Sequence, residues 1–185
     1  MKVLVDGDGL QAYWHLSHSF RLSVFLTGLL KDSHLVGFST RSPLSGEELA
    51  DSDVLVVATR RPKSPYAEAE TDCIVDFVHK GGGLLLMANH ADRPETDLSS
   101  SLLDTRREDA RLADRFGITL EQACFEHRHG GERTRIAASA MNGNHGVIAG
   151  PAGETPVELL VINNCCSIVC SECDPVVSLP VEMWD

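Results

Sequence analysis

No segment near the start of this sequence approaches the roughly 20 apolar residues that a membrane span needs. The run from Val24–Phe25–Leu26 to Leu29–Leu30 is interrupted by Thr27 and Gly28. Met1 to Val5 meets Asp6 at once, so the apolar core of a secretory leader is missing too. Membrane insertion is therefore not expected, and the cytoplasm is the expected compartment. Basic residues are also scarce, with 16 Lys+Arg against 27 Asp+Glu and a net charge of −11. Such a surface repels phosphate, which excludes bulk nucleic-acid binding and makes a basic protein surface the fitting kind of partner. Repeats and linkers are lacking. Hydrophobic residues make up 43% and charged residues 23%, a globular balance that excludes collagen, a coiled coil and a disordered tail. A length of 185 residues suits one domain over 1–185.

What is present is a series of short apolar runs. Met1 to Val5 reads as a buried strand that delivers the acidic turn Asp6-Gly7-Asp8-Gly9. Residues 10–30 carry a helical pattern, with Trp14, Phe20, Val24, Phe25 and Leu29 at near-helical spacing. Leu35-Val36-Gly37-Phe38 is a second strand. Asp53 to Ala58 is the clearest one, continuously apolar as a strand covered on both faces must be. Ser64-Pro65 is expected to open a helix, as N-cap and first helical residue. Its stripe of Tyr66, Ala69, Cys73, Ile74, Phe77 and Val78 ends at Gly81. Gly83 to Ala88 is a further buried strand. Residues 53–88 are thus a βαβ unit with parallel strands. Glu108 to Phe116 reads as a short helix closed by Gly117. Val147-Ile148, Leu159 to Ile162, Ser167 to Val169 and Val176-Val177 read as short strands of an antiparallel extension or sheet edge. The expected fold is a three-layer α/β sandwich with a mainly parallel sheet and a C-terminal antiparallel extension.

The order of these segments resembles that of class I glutamine amidotransferase-like domains. The motifs that carry it are the strand Val3–Asp6, the stretch "DSDVLVVATRRPKSPYAEAETDCIVDFVHKGGGLLLMANH", "LADRFGITL" and "NHGVIAGPAGETPVELLVINNCCSIV". The sequence is most similar to the non-amidotransferase branches, which include the ABC-transport auxiliary, intraflagellar-transport-type and trehalose-utilisation-type domains. The resemblance spans most of the chain and implies a flavodoxin-like fold. Enzymes of the family place a nucleophilic cysteine in a G-x-C-x-G elbow after the "GGGLLL" strand, with a late histidine and glutamate. Here the elbow reads Met87-Ala88-Asn89-His90-Ala91-Asp92, with no cysteine and no flanking glycines. The late His-x-Glu pair is not recognisable either. The resemblance therefore implies the fold and argues against glutaminase chemistry, which needs an activated nucleophile beside its base. No catalytic residue is assigned.

Candidate binding residues follow from position. Ligands of open α/β sheets bind outside the carboxyl ends of the strands. Asp6 and Asp8 follow the first strand, Arg60 and Arg61 the third, and Asn89, His90 and Asp92 the fourth. All should meet at one edge, where mixed polar groups suit a small polar ligand. The competing reading is a turn, a helix cap and a solvated rim of local ion pairs.

Six cysteines are the compositional oddity. They are expected to be reduced, as small apolar residues of a core. Cys170-x-x-Cys173, with Cys166 four residues earlier, has zinc-like spacing, and His127, His129 or His145 would be the fourth ligand. Redox chemistry at the same Cys-x-x-Cys is the other reading. No cofactor is otherwise expected. The expected function is a non-catalytic domain that binds a small polar ligand or a protein partner at the carboxyl edge. The alternatives are a hydrolase or transferase with a rearranged site near Asp6 and His90, and a zinc- or redox-responsive protein. An edge strand or the apolar segment 10–30 would serve a homodimer.

Overall fold

The computed structural model describes residues 1–7, 23–60, 65–88, 106–121, 134–152, 155–162 and 166–178. Lys2–Val5 (β1), Leu35–Phe38 (β2), Val54–Ala58 (β3) and Gly83–Met87 (β4) form a four-stranded sheet in the order β2-β1-β3-β4. Every pairing is parallel: Val3 lies beside Val36 on one side and Val54 on the other, and Leu55 beside Leu84. Successive strand residues point to opposite faces. Leu4, Leu55 and Val57 accordingly enter one core with Leu49, Ile74 and Leu112, while Val3, Val5 and Val56 enter another with Leu26 and Leu29 packed against it. Two covered faces explain why β3 is apolar throughout, with no polar alternation.

Ser23–Lys31 (α1) supplies Leu26 and Leu29 to one face. Gly46–Leu49 (α2), Glu68–His79 (α3) and Arg106–Asp114 (α4) cover the other through Leu49, Ile74 and Leu112. The result is three layers. From β1 the chain runs through α1 to β2, and from β3 through α3 to β4, in opposite directions along the sheet. The directions diverge between β1 and β3, at the topological switch point of a flavodoxin-like sheet.

Several element boundaries differ from the sequence reading, each for a local reason. The helix α3 starts at Glu68, after Ala67 at φ −64 and ψ 149, and not at Ser64-Pro65. Alanine cannot cap, and the Glu70 carboxylate instead accepts the Ala67 N–H at 3.3 Å. Gly81 closes the helix at φ +98, as expected of a C′ glycine. The next residue, Gly82, lies under the Phe77 ring, and a Cβ there would overlap it. Gly82→Ala is expected to cost about 1–3 kcal/mol through displacement of that ring, read as a lower urea midpoint. An unchanged midpoint would show that Phe77 gives way freely.

The antiparallel part is not an extension of the main sheet. Thr119–Leu120 (β5) pairs with Ile168–Val169 (β8), and Thr134–Ala137 (β6) with Leu159–Ile162 (β7), as two separate two-stranded sheets. A third core of Ile136, Met141 and Ile148 sits with the second pair. The expected strand at Val147-Ile148 is a helical turn, Gly146–Ala149 (α5). His145 caps it by accepting the Val147 N–H on Nδ1 at 3.2 Å, and Gly150 at φ +68 ends it. Capping outweighs the strand preference of the two β-branched residues. Among the described residues, no helix is long and apolar enough to cross a membrane.

Candidate functional site

The chain leaves β1, β2 and β3 at the same edge through Asp6, Ser39 and Thr59-Arg60. Asp6 donates its N–H to the Val56 carbonyl, and Ser39 donates its own to the Val5 carbonyl, each at 2.9 Å. Thr59 has φ +48, a left-handed conformation that is rare for a β-branched residue. Its N–H and its hydroxyl both donate to the Met87 carbonyl at 2.8 Å, which holds the bend. Arg60, the next residue, is 1% exposed.

Arg60 is the centre of a buried network. Its Nη1 donates to Glu70 Oε1 at 3.1 Å and its Nη2 to Glu70 Oε2 at 2.9 Å. This two-pronged pairing is the strongest geometry a guanidinium offers a carboxylate. Nη1 also reaches Asp6 Oδ2 at 3.3 Å, and the guanidinium lies 4.1 Å from the centre of the Tyr66 ring. Asp6 accepts from the Ser39 hydroxyl at 3.1 Å, and that hydroxyl accepts the Gly7 N–H at 2.9 Å. Glu70 Oε1 also accepts the Leu44 N–H at 3.1 Å. On the other side, Asp109 of α4 accepts the Arg60 backbone N–H at 3.1 and 3.3 Å and the Tyr66 hydroxyl at 3.1 Å. One guanidinium thus ties the ends of β1 and β3 to α3, and one peptide N–H ties them to α4.

The network holds three carboxylates, Asp6, Glu70 and Asp109, for one guanidinium. Burial pushes Asp109 up to about 7, against the Arg60 N–H and the Tyr66 hydroxyl, which favour its charged form, and with the Glu108 charge adding to the rise. Burial, and then the Asp109 charge, raise Tyr66 well above the usual phenol range, so its hydroxyl remains a donor. A carboxyl that titrates near neutrality is what general acid–base chemistry uses. Asp109, however, has no exposed surface, which keeps it from touching a substrate.

Of the candidates read from the sequence, the structure brings Asp6 and Arg60 together. It does so by turning Arg60 inward as a positioning residue, not outward toward a ligand. Asp8, Arg61, Asn89, His90 and Asp92 lie outside the described residues, although β4 ends at this same edge just before Asn89. Sequence reasoning missed Glu70, Asp109, Tyr66 and Ser39. Glu70 had one usable signal, as an acid in the first turn of its helix. Tyr66 lies on the apolar stripe of its helix in the sequence, and Asp109 lies in the first turn of the helix read over Glu108 to Phe116, where an acid is ordinary.

Two cysteines depart from the expected reduced state. Cys170 and Cys173 are joined in a disulfide, so neither offers a thiolate. Cys166 is half-buried. Among the described residues, no group of His, Cys, Asp or Glu could hold a metal ion. His145 is used as a helix cap and stands 3.9 Å from Asp174. Cys73 is half-buried on α3, packed against the first core.

No protein-family model matches this chain, and no curated protein matches it. Among solved structures it is similar to a ThuA-like protein from Bacteroides uniformis, with a TM-score of 0.52 and 13% identity. The match covers 88% of this chain and 58% of that one, so the chain spans little more than half the neighbour's length. What this likeness shows is the fold, α/β and flavodoxin-like, as the resemblance in the sequence implied.

Proposed function

We propose that the chain is an amidotransferase-like domain that works by binding, without catalysis, and that it takes a small polar ligand at the carboxyl edge between β1 and β3. The observation that carries this reading is the switch point itself. The ends of β1, β2 and β3 are pinned by one buried ionic network, which gives a preformed rim for the chain that continues into Asp8, Arg61, Asn89, His90 and Asp92. Among the described residues, Asp6 and Glu70 outnumber the Arg60 guanidinium behind that rim even with Asp109 protonated, and with a net charge of −11 this disfavours anions. The ligand is therefore neutral or cationic, a polyol or an amine. The missing elbow cysteine supports the non-catalytic part of the reading.

Thermal unfolding in the presence of polyols, sugars, amines, carboxylates and phosphates tests this. A ligand at 100 times its Kd adds about 2.7 kcal/mol. At least one neutral or cationic compound is expected to raise the Tm, and His90→Ala with Asp92→Ala should abolish the rise without lowering the ligand-free Tm. Stabilisation by anions alone would contradict the electrostatic argument. Hydrolysis of an ester or amide that depends on His90 would establish the enzyme reading instead.

A further inference from the structure

We propose that Cys170–Cys173 is a reversible dithiol–disulfide site, opened by thiol reductants that carry no negative charge, and that its closure holds the turn which lays Val176-Val177 onto the third core. The two cysteines are joined, with Cα atoms 5.6 Å apart, within the ordinary disulfide range. The pair sits between two anchors. Upstream, β8 pairs with β5, the Glu121 N–H donates to the Ser167 carbonyl at 3.0 Å, and the Ser167 hydroxyl meets the Glu121 carboxylate. Downstream, the Asn142 side chain donates to Asp174 at 3.2 Å, and the Asn142 N–H donates to the Val176 carbonyl at 2.8 Å. Val177 bridges to Met141, and the Ser178 N–H reaches the Ala140 carbonyl at 3.0 Å. Val176 and Val177 pack against Ile136, Met141 and Ile148. Residues 171–175 between the anchors are exposed, so among the described residues the disulfide is what shapes the turn, apart from the Asp174 contacts with Asn142 and His145.

Access and charge define the reagent. Cys173 is exposed and Cys170 half-buried, so an incoming thiolate attacks Sγ of Cys173. The S–S bond breaks, Cys170 leaves as a thiolate and takes a proton, and a mixed disulfide remains on Cys173. The second thiol of a dithiol reductant then attacks its own sulfur in that bond and releases Cys173. Two electrons and two protons pass from the reductant, which ends as a cyclic disulfide. Glu172 lies between the cysteines and Asp174 beside Cys173, both exposed. These carboxylates repel an anionic thiol and favour a cationic one.

The test uses the full chain with alkylation and peptide mass spectrometry. Without reductant, Cys170 and Cys173 should resist N-ethylmaleimide, and after dithiothreitol each should gain one label. Amide exchange at residues 140–142 and 174–178 should then quicken at least tenfold, with the β1 and β3 amides unchanged. Cys170→Ser should show the fast exchange with or without reductant. At equal thiolate concentration, cysteamine should open the bond several-fold faster than 3-mercaptopropionate, and Glu172→Gln should narrow that ratio. Labelling of both cysteines before reduction, or only after a zinc chelator, would overturn the proposal. So would unchanged exchange on reduction, or equal rates for the two reagents.

Discussion

Arg60→Met is expected to lower folding stability by about 3–5 kcal/mol, the largest loss from any single substitution at this edge. The reason is what remains. Asp6 is 2% exposed and Glu70 1% exposed. Both lose the guanidinium bonded to them and keep the desolvation of a buried carboxylate. Methionine fills much of the volume, so the loss reports charge and not a cavity. Arg60→Lys should fall between, because an ammonium cannot make the paired contacts to both Glu70 oxygens. In the double variant Arg60→Met with Glu70→Met, the two losses should be non-additive by more than about 1 kcal/mol, since one partner's removal relieves the other. Urea unfolding at neutral pH, with Glu70→Met alone included, measures all four variants. A loss below about 1 kcal/mol for Arg60→Met would show that the network does not hold the edge.

The second large effect is a pH dependence from Asp109. Its folded pKa, about 7, is raised from the ordinary 3.8, chiefly by burial. The folded chain therefore holds a proton that the unfolded chain releases. The stability this contributes is fully present below about pH 4 and is lost as pH rises through 7. A shift of this size corresponds to about 4 kcal/mol in all, with about 2.5 of it between pH 5 and pH 8. Asp109→Asn keeps a carbonyl for the Arg60 N–H and the Tyr66 hydroxyl and cannot ionise. The variant should match the wild type near pH 5 and be more stable by roughly 2 kcal/mol or more at pH 8. If the two chains show parallel stability profiles from pH 5 to pH 8, Asp109 does not change its ionisation on folding in that range, and burial does not raise it as described.

The sheet was legible because its signals are local. Leu35–Phe38 and Leu159–Ile162 fall where the apolar runs lie, and Val54–Ala58 and Gly83–Met87 within one residue of them. The edge that gathers Asp6 and Arg60 also followed from the parallel order. The network was not legible. Glu70 lies 10 residues from Arg60 and Asp109 lies 49, and no spacing rule joins them. The bend at Thr59 has no glycine to announce it. Of each antiparallel pair one strand was legible, Leu159–Ile162 and Ile168–Val169, and the other was not, because a two-residue strand such as Thr119–Leu120 carries almost no periodic signal and Thr134–Ala137 is half polar. Val147-Ile148 was misread because a histidine cap outweighed side-chain preference.

The proposed ligand site is the carboxyl edge between β1 and β3. The chain also has a cavity of about 520 Å³ at the opposite edge, lined by Gly46, Asp53, Cys73, Phe77, Lys80 and Gly82. Amide hydrogen exchange, with and without the compound that most raises the Tm, separates the two. Protection at residues 6–8, 39–40, 59–61 and 88–92, with 46–53 and 76–82 unchanged, is the predicted result. Protection of residues 46–53 and 76–82, with the first set unchanged, would move the site to the other end of the sheet.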